Sequence, residues 1–114
     1  MSTRCQISAL LPDGRSGCIY VHGDGYPEGV GKILADHYTD PDKIAQLIAL
    51  GDCLSINPSI GRCSPFSAYP DEIWEEIAPA YAETPEAAAE QHRHGDEEFL
   101  YVWNGAAWRM ERLQ

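Results

Sequence analysis

The sequence predicts a small α+β domain, in which a mostly antiparallel sheet is covered by helices packed on one face. Three observations predict it: a pair of strand patterns opens the chain over residues 4–22, another closes it over 98–111, and helical spacing fills much of the stretch between them. With 114 residues, the chain is long enough to bury a hydrophobic core without the help of disulfides or a structural metal. We therefore expect a single domain over 1–114, with a strand order that these patterns do not define.

The opening strand pattern alternates over residues 4–11 and places four apolar residues on one face: Cys5, Ile7, Ala9 and Leu11. Pro12-Asp13-Gly14 is typical of a turn, and residues 17–22 are expected to form the returning strand. If Asp13-Gly14 is a two-residue turn, Ile7 lies opposite Tyr20 and Cys5 lies opposite His22. A longer loop would shift every pair.

Helical spacing between the hairpins predicts four helices. The first begins at Pro27, and the second has Asp40 as N-cap, Pro41 at its first position and Gly51 at its end. The third covers residues 71–78, and the fourth is opened by Thr84-Pro85 and runs towards His92. A short strand over 52–56 and a breaker-rich loop over 57–65 separate the second helix from the third.

The closing hairpin has the clearest signature, because Asn104-Gly105 is typical of a two-residue type I′ turn. That turn predicts Tyr101 opposite Trp108 and Phe99 opposite Met110. The aromatic face formed in this way is expected to be core rather than a base-stacking platform, since the chain lacks the positive charge that binding of single strands requires. Trp108 is accordingly predicted to be buried.

The segment 19–31 resembles a group of small, mostly uncharacterised phage and prophage proteins that read Ile-Tyr-Cys-His-Trp-Asp-Gly-Tyr-Pro-Glu-Gly-Val-Gly. Eleven positions match: Ile19, Tyr20, His22, Asp24, Gly25, Tyr26, Pro27, Glu28, Gly29, Val30 and Gly31. Val21 and Gly23 depart from the pattern, which removes a thiol and a large aromatic side chain. The resemblance carries no reaction; it implies a phage-type accessory protein.

Charge is distributed unevenly along the chain. The net charge is −10, and residues 66–100 contain ten acidic residues against Arg93 as the single cation. This balance argues against direct binding of nucleic acid or of an anionic membrane. The acids that we expect to bind a partner are Glu72, Glu75, Glu76, Glu83, Glu86, Glu90, Asp96 and Glu97.

The leading functional hypothesis is a non-enzymatic, acidic protein-binding module. Its expected partner is a basic host protein, such as a nucleic-acid-binding defence component of the CRISPR effector type, which the acids would block by charge complementarity. An acidic surface that only keeps the domain soluble explains the same charge, as does a domain that binds through another surface. The oligomeric state and the role of residues 57–70 are left open.

Neither a secretory leader nor a membrane span is evident, which predicts a cytoplasmic protein, in the host cell if it is phage-encoded. In that compartment the four cysteines are expected to be reduced and buried as small apolar residues. No sequence motif identifies a catalytic residue, and no cofactor is expected.

A competing hypothesis is a metal-binding protein or small enzyme that uses cysteines and four histidines: His22, His37, His92 and His94. His92 and His94 are two residues apart, so on a helix they point to different sides and converge only where the chain is extended. The favoured interpretation of this pair is a solvated helix end, and no metal ligand is assigned.

Overall fold

A mixed sheet of seven strands organises the computed structural model, which describes residues 3–68 and 77–114. The strands are β1 (Cys5–Leu10), β2 (Ser16–Val21), β3 (Cys53–Ser55), β4 (Ser64–Pro65), β5 (Ala80–Ala82), β6 (Phe99–Trp103) and β7 (Trp108–Arg112). Their order is β4-β3-β2-β1-β6-β7, and β5 also pairs with β2. The β1–β6 and β2–β3 pairs are parallel, whereas the other pairs are antiparallel. The predicted α+β class is confirmed.

The first hairpin has a three-residue loop rather than a two-residue turn. Leu11 N–H donates to the Arg15 carbonyl over 2.8 Å, and Gly14 takes a φ of +90°. The extra residue shifts the register by one, so Cys5 lies opposite Val21 and Ile7 opposite Ile19. The pairs predicted from a two-residue turn, including Cys5 with His22, are therefore wrong.

The closing hairpin is joined by four residues, 104–107. The Asn104 side-chain oxygen accepts hydrogen bonds from Ala106 N–H at 2.8 Å and Ala107 N–H at 2.9 Å, which satisfies the turn internally. Tyr101 therefore lies opposite Met110 rather than the predicted Trp108. Because the register moves by two residues, the predicted composition of each face is unchanged.

Three α-helices are present in the described residues: α1 (Lys32–His37), α2 (Pro41–Ala49) and α3 (Pro85–Gln91). The predicted starts of α2 and α3 are confirmed, since Asp40 and Thr84 cap them through their side-chain oxygens. A π-helical turn over Pro27–Gly31 precedes α1, so the predicted first helix begins irregularly. Of the helix predicted over 71–78, the structure describes only residues 77 and 78, which are not helical.

Helices cover both faces of the sheet, whereas the sequence predicted one covered face. The main core lies between one sheet face and α1 and α2; among its buried residues are Ile7, Ile19, Leu34, Leu47 and Trp103. On the opposite face, α3 packs Ala88 and Ala89 against Cys18, Leu100 and Val102. Small residues at this contact allow α3 to approach the strands closely.

All four cysteines are free thiols, as predicted. Cys5, Cys18 and Cys53 are buried, and burial raises the pKa of Cys53 to about 12. Burial also raises the pKa of Cys5 well above its usual value, so these thiols remain protonated and serve as packing residues. Cys63 is half-buried.

A membrane-spanning helix would need a long apolar stretch. Across residues 3–68 and 77–114, no helix is sufficiently long and apolar to cross a bilayer.

Candidate metal centre

Asp52 is a buried carboxylate held by its own backbone. It follows Gly51, whose φ of +78° reverses the chain after α2. Asp52 N–H donates to the Ile77 carbonyl at 2.8 Å, and the Asp52 carbonyl accepts from Phe66 N–H at 3.0 Å. With 2% of its surface exposed, Asp52 needs polar partners for its charged oxygens.

Two histidines at the end of α3 lie next to these oxygens. His92 Nε2 lies 2.6 Å from Asp52 Oδ1, and His94 Nε2 lies 3.7 Å from Asp52 Oδ2. They converge because the chain leaves the helix after Gln91, which removes the divergence expected on a regular helix. The preference for a solvated helix end is wrong for His92, whose side chain is 9% exposed.

Tyr20 of β2 supports both the carboxylate and one imidazole. Its backbone N–H donates to Asp52 Oδ1 at 2.9 Å, and its ring stacks on His94 with centroids 4.1 Å apart. Its hydroxyl donates to Asp96 Oδ2 at 3.0 Å. Burial first, and then the Asp96 carboxylate, raise the pKa of Tyr20, so this hydroxyl remains a donor at neutral pH.

Glu97 fixes the loop that carries His94. Its carboxylate accepts hydrogen bonds from the backbone N–H groups of His94 and Gly95, both at 2.8 Å. Glu97 is only 2% exposed, so it does not belong to the acidic surface in which the sequence interpretation placed it. Its role in the described structure is to hold this loop.

The geometry of the three side chains suits a transition metal. One nitrogen from each histidine and one oxygen of Asp52 all lie within 4.8 Å of one another. A tetrahedral zinc with ligands at about 2.0–2.2 Å needs ligand atoms roughly 3.3 Å apart, so His92, which lies 2.6 Å from Oδ1, would have to move away from the carboxylate to bind the metal with it. Two imidazoles and a carboxylate favour Zn²⁺ or Fe²⁺ over Ca²⁺ or Mg²⁺, which prefer oxygen ligands.

Solvent reaches the centre from the His94 side. The His94 side chain is 37% exposed, and a cavity of about 130 Å³ is lined by residues 91–94. A metal held by three protein ligands would keep a fourth position open for water or a substrate. Such an open position is the arrangement that metalloenzymes use to bind water or a substrate.

The predicted acidic surface is only partly described. Glu83, Glu86, Glu90 and Asp96 are exposed. Three of these acids have a cationic neighbour: Glu86 lies 2.7 Å from Arg109, Glu90 lies 3.4 Å from Arg93, and Asp96 lies 3.1 Å from Arg4. Glu72, Glu75 and Glu76 lie outside the described residues.

The other two histidines are not part of the centre. His37 is exposed on α1, and His22 lies beside the Tyr20 ring, with centroids 6.4 Å apart, without joining the ligand group. Asp52 was missed by the sequence interpretation, since no local pattern links it to histidines 40 or more residues further along the chain. Within the described ranges, no second group of three such side chains has ligand spacing.

The chain was compared with protein families, curated proteins and solved structures. No family model matches the chain, and neither a curated protein nor a solved structure matches it significantly.

Proposed function

We propose that this chain is a transition-metal-binding protein whose metal is held by Asp52, His92 and His94. The observation that supports the proposal is a fully buried carboxylate with an imidazole nitrogen next to each of its oxygens. The ligands come from two parts of the chain, so the fold itself creates the set. Zinc and iron are the best matches to this donor chemistry.

A structural ion pair explains less of the arrangement. The hydrogen bond from Tyr20 N–H and the contact with His92 already give Asp52 Oδ1 two partners. The second imidazole is held by stacking on Tyr20 and by the Glu97 loop anchor, yet it lies 3.7 Å from Asp52 Oδ2, which is longer than a hydrogen bond. A bound cation would use all three side chains and offset the desolvation of the carboxylate.

Zinc titration of tag-free protein tests this proposal. We expect one equivalent of Zn²⁺ to bind by calorimetry, and Asp52→Asn or His94→Ala to weaken the affinity by about 100-fold, because each variant removes one of three ligands. Zinc at about 100 times its dissociation constant should also stabilise the wild type by about 2.7 kcal/mol.

His37→Ala is the matched control, since it removes an exposed histidine outside the centre and should leave zinc affinity unchanged. Circular dichroism establishes that each variant is folded. The proposal fails if the wild type shows no saturable zinc binding, or if folded Asp52→Asn binds zinc as the wild type does.

A second proposal is that the acidic surface binds a basic host protein, as expected for a phage-type accessory protein. The exposure of Glu83, Glu86 and Glu90 supports it, as does the net charge of −10. Such a surface would speed encounter with a basic nucleic-acid-binding partner and compete with its nucleic acid. The partner class that we propose is a defence effector of the CRISPR type.

Charge reversal tests the second proposal. Adding the wild-type protein to a panel of purified CRISPR effector complexes should inhibit target cleavage by at least one of them, whereas changing Glu83, Glu86 and Glu90 to Lys should abolish the inhibition. Surface changes of this kind usually alter stability by less than about 0.5 kcal/mol each. Inhibition should also weaken as salt rises, since exposed charges are screened over about 8 Å at physiological ionic strength.

The matched control changes Asp13, Asp36 and Asp42 to Lys, which alters the net charge equally at exposed sites elsewhere. This control should inhibit as the wild type does. Equal inhibition by both triple variants would show that these three glutamates are not the binding surface.

A further inference from the structure

β7 is an edge strand with no neighbour on its outer side among the described residues. Its five residues alternate, with Trp108, Met110 and Arg112 towards the main core face and Arg109 and Glu111 towards the α3 face. Met110 is 47% exposed, which is unusual for a large apolar side chain in this domain. An open edge of this kind is a template for pairing with another strand.

The hydrogen bonds of the closing hairpin show which backbone groups are open. Leu113 N–H donates to the Glu98 carbonyl at 2.8 Å, and the Ala107 carbonyl accepts from Asn104 N–H at 3.2 Å. Residues 107 and 113 therefore point their polar groups towards β6, and by alternation Arg109 and Glu111 do so as well. The N–H and carbonyl groups of Trp108, Met110 and Arg112 consequently point outward.

We propose that β7 pairs with β7 of a second copy of this chain, antiparallel and about a two-fold axis at Met110. In this register Met110 lies opposite Met110 of the second copy, and Trp108 lies opposite Arg112. The outward-facing residues of both strands then meet one another, as an antiparallel ladder requires. This proposal is independent of the metal centre.

Charge selects that register over its neighbours. With the axis at Met110, Arg109 of each copy lies opposite Glu111 of the other, which gives two attractive cross-strand pairs. With the axis at residue 109, Arg109 would lie opposite Arg109 of the second copy. With the axis at residue 111, Glu111 would lie opposite Glu111 of the second copy. Like charges directly opposite one another destabilise a strand pair, so both alternatives are disfavoured.

Charged residues on an edge strand usually prevent aggregation. Here Arg109 and Glu111 have opposite charges. They disfavour strand pairing in the other registers and favour pairing with β7 of a second copy in the proposed register. The apolar side of the strand adds contact area, because Trp108 and Met110 line a cavity of about 410 Å³ together with Tyr101 and residues of the 27–35 segment. Pairing would bring two such apolar surfaces to the same interface.

Sedimentation equilibrium tests the proposal. The wild type should reach twice its chain mass of 12.6 kDa as concentration rises. Arg109→Glu and Glu111→Arg should each raise the dissociation constant by about tenfold or more, because each turns two attractive pairs into repulsive ones. An equal mixture of the two variants should dimerise again, since each strand then meets opposite charges.

Glu83→Arg is the control, because it reverses an exposed acid away from β7 and should leave the dissociation constant unchanged. Thermal melting establishes that the variants are folded, and recovery in the mixture separates pairing from any loss of stability. A wild type that stays monomeric at its highest soluble concentration overturns the proposal. Failure of the mixture to recover dimer overturns it too.

Discussion

Trp103→Ala is expected to destabilise the domain by about 3–5 kcal/mol, because truncating a buried tryptophan removes its apolar contacts and leaves a cavity. Trp103 is 3% exposed and belongs to the main core. Its ring packs on Trp108, with centroids 5.4 Å apart. Since native domains are stable by only about 5–15 kcal/mol, the free energy of unfolding in urea should fall by a large fraction.

Trp108→Ala is the matched comparison and should have a smaller effect. Trp108 is half-buried, and its Nε1–H donates to the Tyr38 carbonyl at 2.7 Å, a bond worth about 0.5–1.5 kcal/mol net. Equal losses for the two variants would show that both rings contribute alike to the core. A larger loss for Trp108→Ala would contradict the burial difference on which the prediction rests.

The difference in burial between the two tryptophans follows from a loop length that the sequence did not predict. The Asn104-Gly105 signal located the turn correctly, yet a side chain that accepts two backbone hydrogen bonds favours four connecting residues over two. Trp108 therefore lies nearer the hairpin end than predicted and is only half-buried. Turn chemistry places a reversal in the chain, whereas loop length, which defines the register, depends on local hydrogen bonds.

The pairing of strands that are distant in the sequence could not be predicted, for a different reason. Alternation and capping residues predicted β1 and the start of α3 because both signals are local. The parallel pairing of β1 with β6 joins segments more than 90 residues apart, and the sequence of neither strand identifies the other as its partner. The position of α3 on the second face follows from this topology and from the small size of Ala88 and Ala89.

The candidate metal centre was half visible in the sequence. His92 and His94 stand two residues apart in the sequence, and helical geometry requires the chain to leave the helix before they can converge. Their third partner could not be found, because Asp52 is 40 residues away and reaches them only after β2 and α3 have packed together. The centre is thus a product of tertiary structure rather than of a motif.

Gly51→Ala is expected to affect stability and metal binding together. A Cβ at Gly51 would lie 2.5 Å from the Ile77 carbonyl oxygen, which is also the acceptor for Asp52 N–H. The φ of +78° adds about 1–2 kcal/mol of strain for an L-residue. The backbone must therefore move at one of the contacts that fix Asp52, so zinc affinity should fall along with the free energy of unfolding.

Gly14→Ala separates the two causes. Gly14 has a φ of +90°, but a Cβ there would meet no atom within 4 Å, so this variant has the backbone strain without the clash. We expect it to lose about 1–2 kcal/mol in urea unfolding and to retain wild-type zinc affinity in calorimetry. Gly51→Ala should lose more stability than Gly14→Ala and bind zinc more weakly. If the two variants match in both measurements, the Ile77 contact does not position Asp52.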